Sequence, residues 1–125
     1  MKNQKFCIIE SFGHALNGLK IMVHYERNAR IHLVVGLTVV VAGFILQISS
    51  AEWIAVVFAT GLVPVLELIN TSIEYLADYI SPELHPAIKI IKDLAAASVL
   101  LGAIMAAIIG FIVFIPKILA LCLKF

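Results

Sequence analysis

An unbroken apolar run from Leu94 to Ile115 limits what this chain can become more than any other feature. A helix that crosses a bilayer needs about 20 apolar residues at ~1.5 Å each, and this run supplies them. A second run, from about Ile31 to Ile48, also qualifies on hydropathy. A third starts near Trp53 but is uninterrupted only as far as Leu66, which is too short to span. To cross, it must continue through Glu67 and Asn70 to about Ser72 or beyond, so its polar residues lie near one membrane interface. Composition agrees: the chain is 62% hydrophobic and 14% charged, with a mean hydropathy of +1.08. Soluble domains are roughly half apolar and a quarter charged, and 125 residues enclose too little interior to hide the excess. The chain reads as one all-α integral membrane domain covering residues 1–125. Its spans are expected at about 31–49, 52–78 and 90–116.

Lys and Arg predict the orientation through the positive-inside rule. Lys2, Lys5, Lys20, Arg27 and Arg30 precede the first span, and Lys89 and Lys92 lie between the second and third. The short connection Ser49 to Glu52 has no basic residue. The N-terminus and the second connection are therefore expected in the cytoplasm and the C-terminus outside, with Lys117 and Lys124 pulling weakly the other way. Cys7 and Cys122 then sit on opposite sides and cannot pair within one subunit. A net charge of +1 gives no electrostatic footprint for nucleic acid. The N-terminal stretch is interrupted by Glu10, His14 and Asn17, so it lacks the h-region of a signal peptide.

Residues of about 6–28 read as a surface helix. Ile9, Phe12, Leu16, Leu19 and Val23 recur at spacings of three and four, with Glu10, His14, Asn17 and His24 on another face. The same pattern suits the first element of a bundle. Ser98, Gly102, Ala106 and Gly110, each four apart, let helix backbones approach closely within lipid, and Gly36 and Gly43 do the same on the first span. These are packing signals, and they favour an oligomer. Pro64 removes a backbone donor and is expected to kink its helix one turn before Glu67.

The chemistry concentrates in Glu67-Leu-Ile-Asn70-Thr71-Ser72-Ile-Glu74, followed by Asp78. On a helix, Glu67, Asn70, Thr71, Glu74 and Asp78 fall within an arc of roughly 100°. Ionisable residues at membrane depth are costly and mark function, although Glu74 and Asp78 also suit a solvated helix end. Glu67 and Glu74 are two turns apart, about 10 Å along the axis. Glu67, the deeper, is placed to act as general base on a lipid hydroxyl. Glu74, nearer the cytosol, is placed to hold a divalent cation that bridges phosphate oxygens. Lys92 and Asp93, just before the third span, match Glu74 in depth: Lys92 can neutralise phosphate charge, and Asp93 can orient phosphate or bind metal. Taken alone, Lys89 reads as positive-inside anchoring and Glu26 as a solvated charge. No pair of histidines among His14, His24, His32 and His85 has metal-binding spacing. Gly13-His-Ala-Leu-Asn-Gly18 has two glycines of a P-loop, but Leu19 follows where Lys is required.

The motif Glu67-Leu68-Ile69-Asn70-Thr71-Ser72-Ile73-Glu74 resembles the E-x-x-N-[ST]-x-I-E signature of the prokaryotic diacylglycerol kinase family. Ser81-Pro82-Glu83-Leu84-His85 and Lys92-Asp93-Leu94-Ala95-Ala96 add to the likeness, which extends from about Ser11 to Lys117. Glu26-Arg27-Asn28-Ala29-Arg30-Ile31-His32 is similar to the E-R-N-x-R-I-H stretch of the family's Gram-positive undecaprenol kinase branch. The resemblance implies three transmembrane helices plus an N-terminal amphipathic surface helix, assembled as a homotrimer with composite active sites at the cytoplasmic interface. It implies an ATP- and Mg2+-dependent kinase acting on a membrane lipid alcohol in the bacterial cell membrane. Glu67 takes the place of the catalytic base, and Glu26 and Glu74 that of the metal-binding carboxylates. Asn70, Lys92 and Asp93 match residues around the phosphates, and His14, Glu83 and His85 fall where the nucleotide is contacted. Arg30 and Ala96, with Glu67, fall beside the lipid substrate. Cys7 stands where an arginine is found in some members and His14 where an aromatic ring is common, so no role carries over for the first and adenine stacking does not follow for the second.

Undecaprenol and diacylglycerol both present a primary hydroxyl at the interface, and the physics of the sequence does not choose between them. The Glu26–His32 stretch favours undecaprenol. Two other classes compete. A cation-conducting oligomer would line a pore with the Glu67 face, but the polar residues are confined to one end of the span. A non-catalytic assembly subunit would use that face as interhelical glue, but six coordinated polar residues on two helices at one depth are more than glue needs.

Overall fold

A computed structural model describes residues 8–81 and 85–123. They form four helices in chain order: α1 (Ile8–Tyr25), α2 (Arg27–Ile45), α3 (Ser50–Ile80) and α4 (Pro86–Cys122). No strand occurs among the described residues. α2, α3 and α4 are each long and apolar enough to cross a membrane. At ~1.5 Å per residue they measure about 28, 46 and 55 Å, against a hydrocarbon core of about 30 Å. α2 fits within that thickness, whereas α3 and α4 project beyond it. Large apolar side chains such as Phe58, Phe111 and Ile112 stay exposed on the bundle exterior, as a lipid-facing surface requires.

The helix boundaries follow from local chemistry. Glu26 alone separates α1 from α2; it takes an extended conformation at the N-cap of α2, and its carboxylate makes no capping hydrogen bond. α2 ends before Gln47, which adopts a left-handed φ of 49° and turns the chain back on itself. α3 begins with a reciprocal capping box: the Ser49 amide donates to Glu52 Oε2 at 2.6 Å, and the Glu52 amide donates to Ser49 Oγ at 3.4 Å. α4 begins at Pro86, whose missing amide hydrogen costs nothing in the first turn, and the Ala87 amide donates to Nδ1 of His85. α3 stays one helix through Pro64, and α4 runs through Pro116 to Cys122, past the end expected near residue 116.

α3 packs against each of the other three helices and most extensively against α4. At the end of the bundle near the α2–α3 turn, Ile48, Val56 and Val113 form a core that Val39, Trp53 and Phe114 surround. Gly43 is buried there because Trp53 covers it. A Cβ at Gly43 would lie 2.8 Å from Trp53 Cη2 and 3.1 Å from Ile48 Cδ1. The indole also stacks against Phe44, with ring centroids 4.8 Å apart, and has little room to yield. Gly43→Ala is therefore expected to destabilise the bundle by about 1–3 kcal/mol. An unfolding midpoint in detergent equal to that of the parent would contradict this packing.

Two ion pairs close the α3–α4 hairpin at its opposite ends. Lys117 Nζ lies 3.1 Å from Glu52 Oε2, and Lys92 Nζ lies 2.8 Å from Asp78 Oδ1. Along the helix axes the two pairs are about 38 Å apart. Between them the register is antiparallel, with Leu66 of α3 against Gly102 of α4.

Candidate active site

The polar face of α3 is real and graded in depth. Glu67 is 3% exposed and Thr71 8%, Asn70 and Glu74 are half-buried, and Asp78 is exposed at the end. The face arises because positions 67, 71, 74 and 78 repeat at helical spacing on the side of α3 that α2 and α4 cover. The Glu67 carboxylate makes no hydrogen bond or ion pair among the described residues. No hydrogen bond or ion pair thus ties the Glu67 side chain to the rest of the bundle among the described residues.

One and two turns further on, Asn70 and Glu74 form a unit. Asn70 Nδ2 donates to Glu74 Oε1 at 2.9 Å, which fixes both side chains. Asn70 Oδ1 is left buried with no hydrogen-bond partner. The remaining carboxylate capacity of Glu74 and this orphaned carbonyl oxygen form a pair of hard oxygen donors on adjacent turns. Mg2+ is held by one or two carboxylates together with substrate phosphates, and this donor set fits it. The described residues contain no group of three His, Cys, Asp or Glu side chains that could cage a metal alone.

The register of α2 against α3 locates the Glu26–Arg30 segment. Gly36 faces Thr60 and Gly43 faces Trp53. Carried back along α2, the same antiparallel register sets Ala29 level with Glu67 and Glu26 level with Asn70. Ala29 is 1% exposed, as that close approach demands. Glu26 therefore lies at the depth of the Asn70–Glu74 unit with its carboxylate not spent on capping. Arg30 is exposed, one residue beyond Ala29.

The remaining residues singled out in the sequence are not drawn into one cluster within this chain. Lys92 is engaged by Asp78, so it meets a phosphate only by exchanging that partner or sharing its ammonium hydrogens. Asp93 and Ala96 lie exposed on α4 beside the buried Ala95. His14 is exposed on α1. His85 is exposed and acts as the N-cap of α4. Glu83 and Cys7 lie outside the described residues. Two contributors went unassigned in the sequence. Asp78 was read as part of the polar face but not as the partner of Lys92; an acid four residues beyond Glu74, facing a lysine across a hairpin, was the available signal. Ala29 carried none, since a small residue's value lies only in what packs on it.

Comparison with known proteins bears on the same segments. The family described as "Prokaryotic diacylglycerol kinase" matches residues 13–114, which include both polar clusters. The chain is 35% identical over 117 residues to the undecaprenol kinase of Bacillus subtilis, covering 94% of this chain and 95% of that protein. It is 35% identical over 115 residues to a diacylglycerol kinase of Synechocystis, covering 91% of this chain and 66% of the relative. It is 30% identical over 101 residues to the diacylglycerol kinase of Escherichia coli K12, covering 81% of this chain and 83% of that protein.

Proposed function

The chain belongs to the prokaryotic diacylglycerol kinase family and is a lipid kinase, and from that premise we propose that it transfers the γ-phosphate of ATP to the hydroxyl of undecaprenol. The observation that carries the catalytic part is Glu67: a buried carboxylate without a partner, at the deep end of a polar face whose shallow end offers phosphate-binding groups. The undecaprenol assignment is supported by the likeness to the Bacillus subtilis enzyme along nearly the full length of both chains. Transfer to diacylglycerol, giving phosphatidic acid, is the second reading, and the relatives that act on diacylglycerol support it.

Glu67 accepts the proton of the lipid hydroxyl as its oxygen bonds to the γ-phosphorus. The bond from that phosphorus to the β–γ bridging oxygen breaks, and ADP leaves. Glu74 and Asn70, with Glu26 level with them, would hold Mg2+, which would supply positive charge to offset that of the phosphates. Lys92 and Asp93 line the approach of the phosphates, and His14, Glu83 and His85 contact the nucleotide. Arg30 and Ala96 border the lipid. Positioning and electrostatics do the work, since phosphoryl transfer asks little covalent chemistry of the protein.

The active form is a homotrimer in this reading. His14, Asp93 and Ala96 of one chain are exposed, and residues from a neighbouring copy would complete the site. α1 lies in the membrane interface as an amphipathic helix, with Ile9, Phe12 and Leu16 exposed along one side. The Asp78–Lys92 end faces the cytoplasm and Cys122 lies toward the outside, as the basic residues suggest.

The test is ATP-dependent phosphorylation in detergent–lipid micelles, with undecaprenol and diacylglycerol offered separately. Faster turnover of undecaprenol is the expected result. A preference for diacylglycerol would keep the mechanism and replace the substrate. Transfer to neither, by folded protein, would remove the proposal.

A further inference from the structure

Thr38, Thr60, Ser72 and Ser98 each fold back on their own helix, and each hydroxyl donates to a backbone carbonyl three or four residues earlier. That is the local way to satisfy a hydroxyl where lipid offers no partner. Thr71 departs from it. The residue is 8% exposed, yet its hydroxyl makes no hydrogen bond among the described residues. The neighbouring Ser72 is exposed, and its hydroxyl is engaged by the Leu68 carbonyl at 2.8 Å.

The place of Thr71 on α3 gives the free donor a use. At ~100° and ~1.5 Å per residue, Glu67 and Glu74 lie about 20° apart around the helix and about 10 Å apart along it. Asn70 falls about 60° to one side of Glu67 and Thr71 about 40° to the other, both roughly midway in height. The two carboxylates mark the ends of a short track, and Asn70 and Thr71 flank its middle. Asn70 Nδ2 already donates to Glu74, whereas the Thr71 hydroxyl has its hydrogen to give.

We propose that Thr71 is a further catalytic residue, whose hydroxyl donates a hydrogen bond to an oxygen of the phosphoryl group as that group passes from the nucleotide to the lipid. The inference rests on the reading of Glu67 as the base and of Glu74 as a holder of the phosphate-bound cation. A phosphoryl group in transit lies between those two carboxylates, at the height of Thr71. Its charge is spread over the three equatorial oxygens. A fixed donor facing such charge is worth most where water is excluded, and Thr71 is buried.

The experiment measures ATP-dependent lipid phosphorylation in micelles for the parent, Thr71→Val, Thr71→Ser and Ser72→Ala, with the unfolding midpoint of each in the same detergent. Valine keeps the shape of threonine and lacks the hydroxyl. In Thr71→Val, kcat should fall by about 10²-fold while KM for Mg-ATP stays close to that of the parent, because the contact belongs to the transition state. Thr71→Ser should keep most of the rate, and Ser72→Ala all of it. The midpoint of Thr71→Val should be no lower than that of the parent. Full turnover in Thr71→Val, with the parent active, would overturn the inference and leave the kinase reading standing. A lowered midpoint together with lost turnover would give the hydroxyl to the fold and overturn it too. A raised KM with kcat kept would assign the hydroxyl to the bound nucleotide and overturn the contact in transit. The acid limb of the pH–rate profile should keep its midpoint in Thr71→Val. A shift of that limb to higher pH would show that the hydroxyl serves the Glu67 carboxylate, and would overturn the phosphoryl contact. Transfer to no alcohol by the folded parent would remove the functional reading and this inference with it.

Discussion

Glu67→Gln is expected to abolish lipid phosphorylation while leaving the bundle no less stable than the parent. The two halves have one cause. The Glu67 carboxylate is buried and makes no hydrogen bond or ion pair among the described residues, so it contributes nothing to the fold that an amide of the same shape would lose. Glutamine cannot accept a proton from the lipid hydroxyl, and loss of general base catalysis lowers turnover by about 10²–10⁴-fold. The readouts are ATP-dependent transfer in micelles and the unfolding midpoint in the same detergent. Turnover near that of the parent would end the assignment of Glu67 as base. A collapsed midpoint would show that the carboxylate serves the fold after all.

The second large effect belongs to Glu74. Glu74→Gln keeps an oxygen where Asn70 Nδ2 now donates, so the Asn70 side chain should hold its place. What disappears is the negative charge beside the orphaned Asn70 carbonyl oxygen. Turnover should fall by about 10²–10³-fold, the scale of losing one preorganised electrostatic contact to the reacting phosphate. The Mg2+ concentration for half-maximal rate should rise, and part of the lost rate should return at high Mg2+. A variant that is slow yet keeps the parent's Mg2+ dependence would assign Glu74 to positioning and leave the cation to other groups.

The polar face of α3 was legible in the sequence because it belongs to one helix, and the spacing of 67, 70, 71, 74 and 78 needs no other element to interpret it. The three long apolar helices were legible for the same reason. What escaped depends on how one helix meets another. The pairing of Asp78 with Lys92 and the burial of Ala29 follow from interhelical register, which periodicity does not encode. The end of α4 was missed as well: the helix runs on through Pro116 to Cys122, beyond the end expected near residue 116.

The paired charges at the two ends of the α3–α4 hairpin bear on where the reaction happens. Helices joined at one end can accommodate a thicker or thinner bilayer by sliding past each other. With Glu52 paired to Lys117 and Asp78 to Lys92, sliding would separate both pairs, which favours the two helices tilting together or the lipid deforming around them. Glu67 then keeps a constant height within the protein, while its height relative to the headgroups is set by the surrounding membrane. In the proposed reaction, lipid composition would then govern how readily a hydroxyl at the headgroup level reaches the carboxylate.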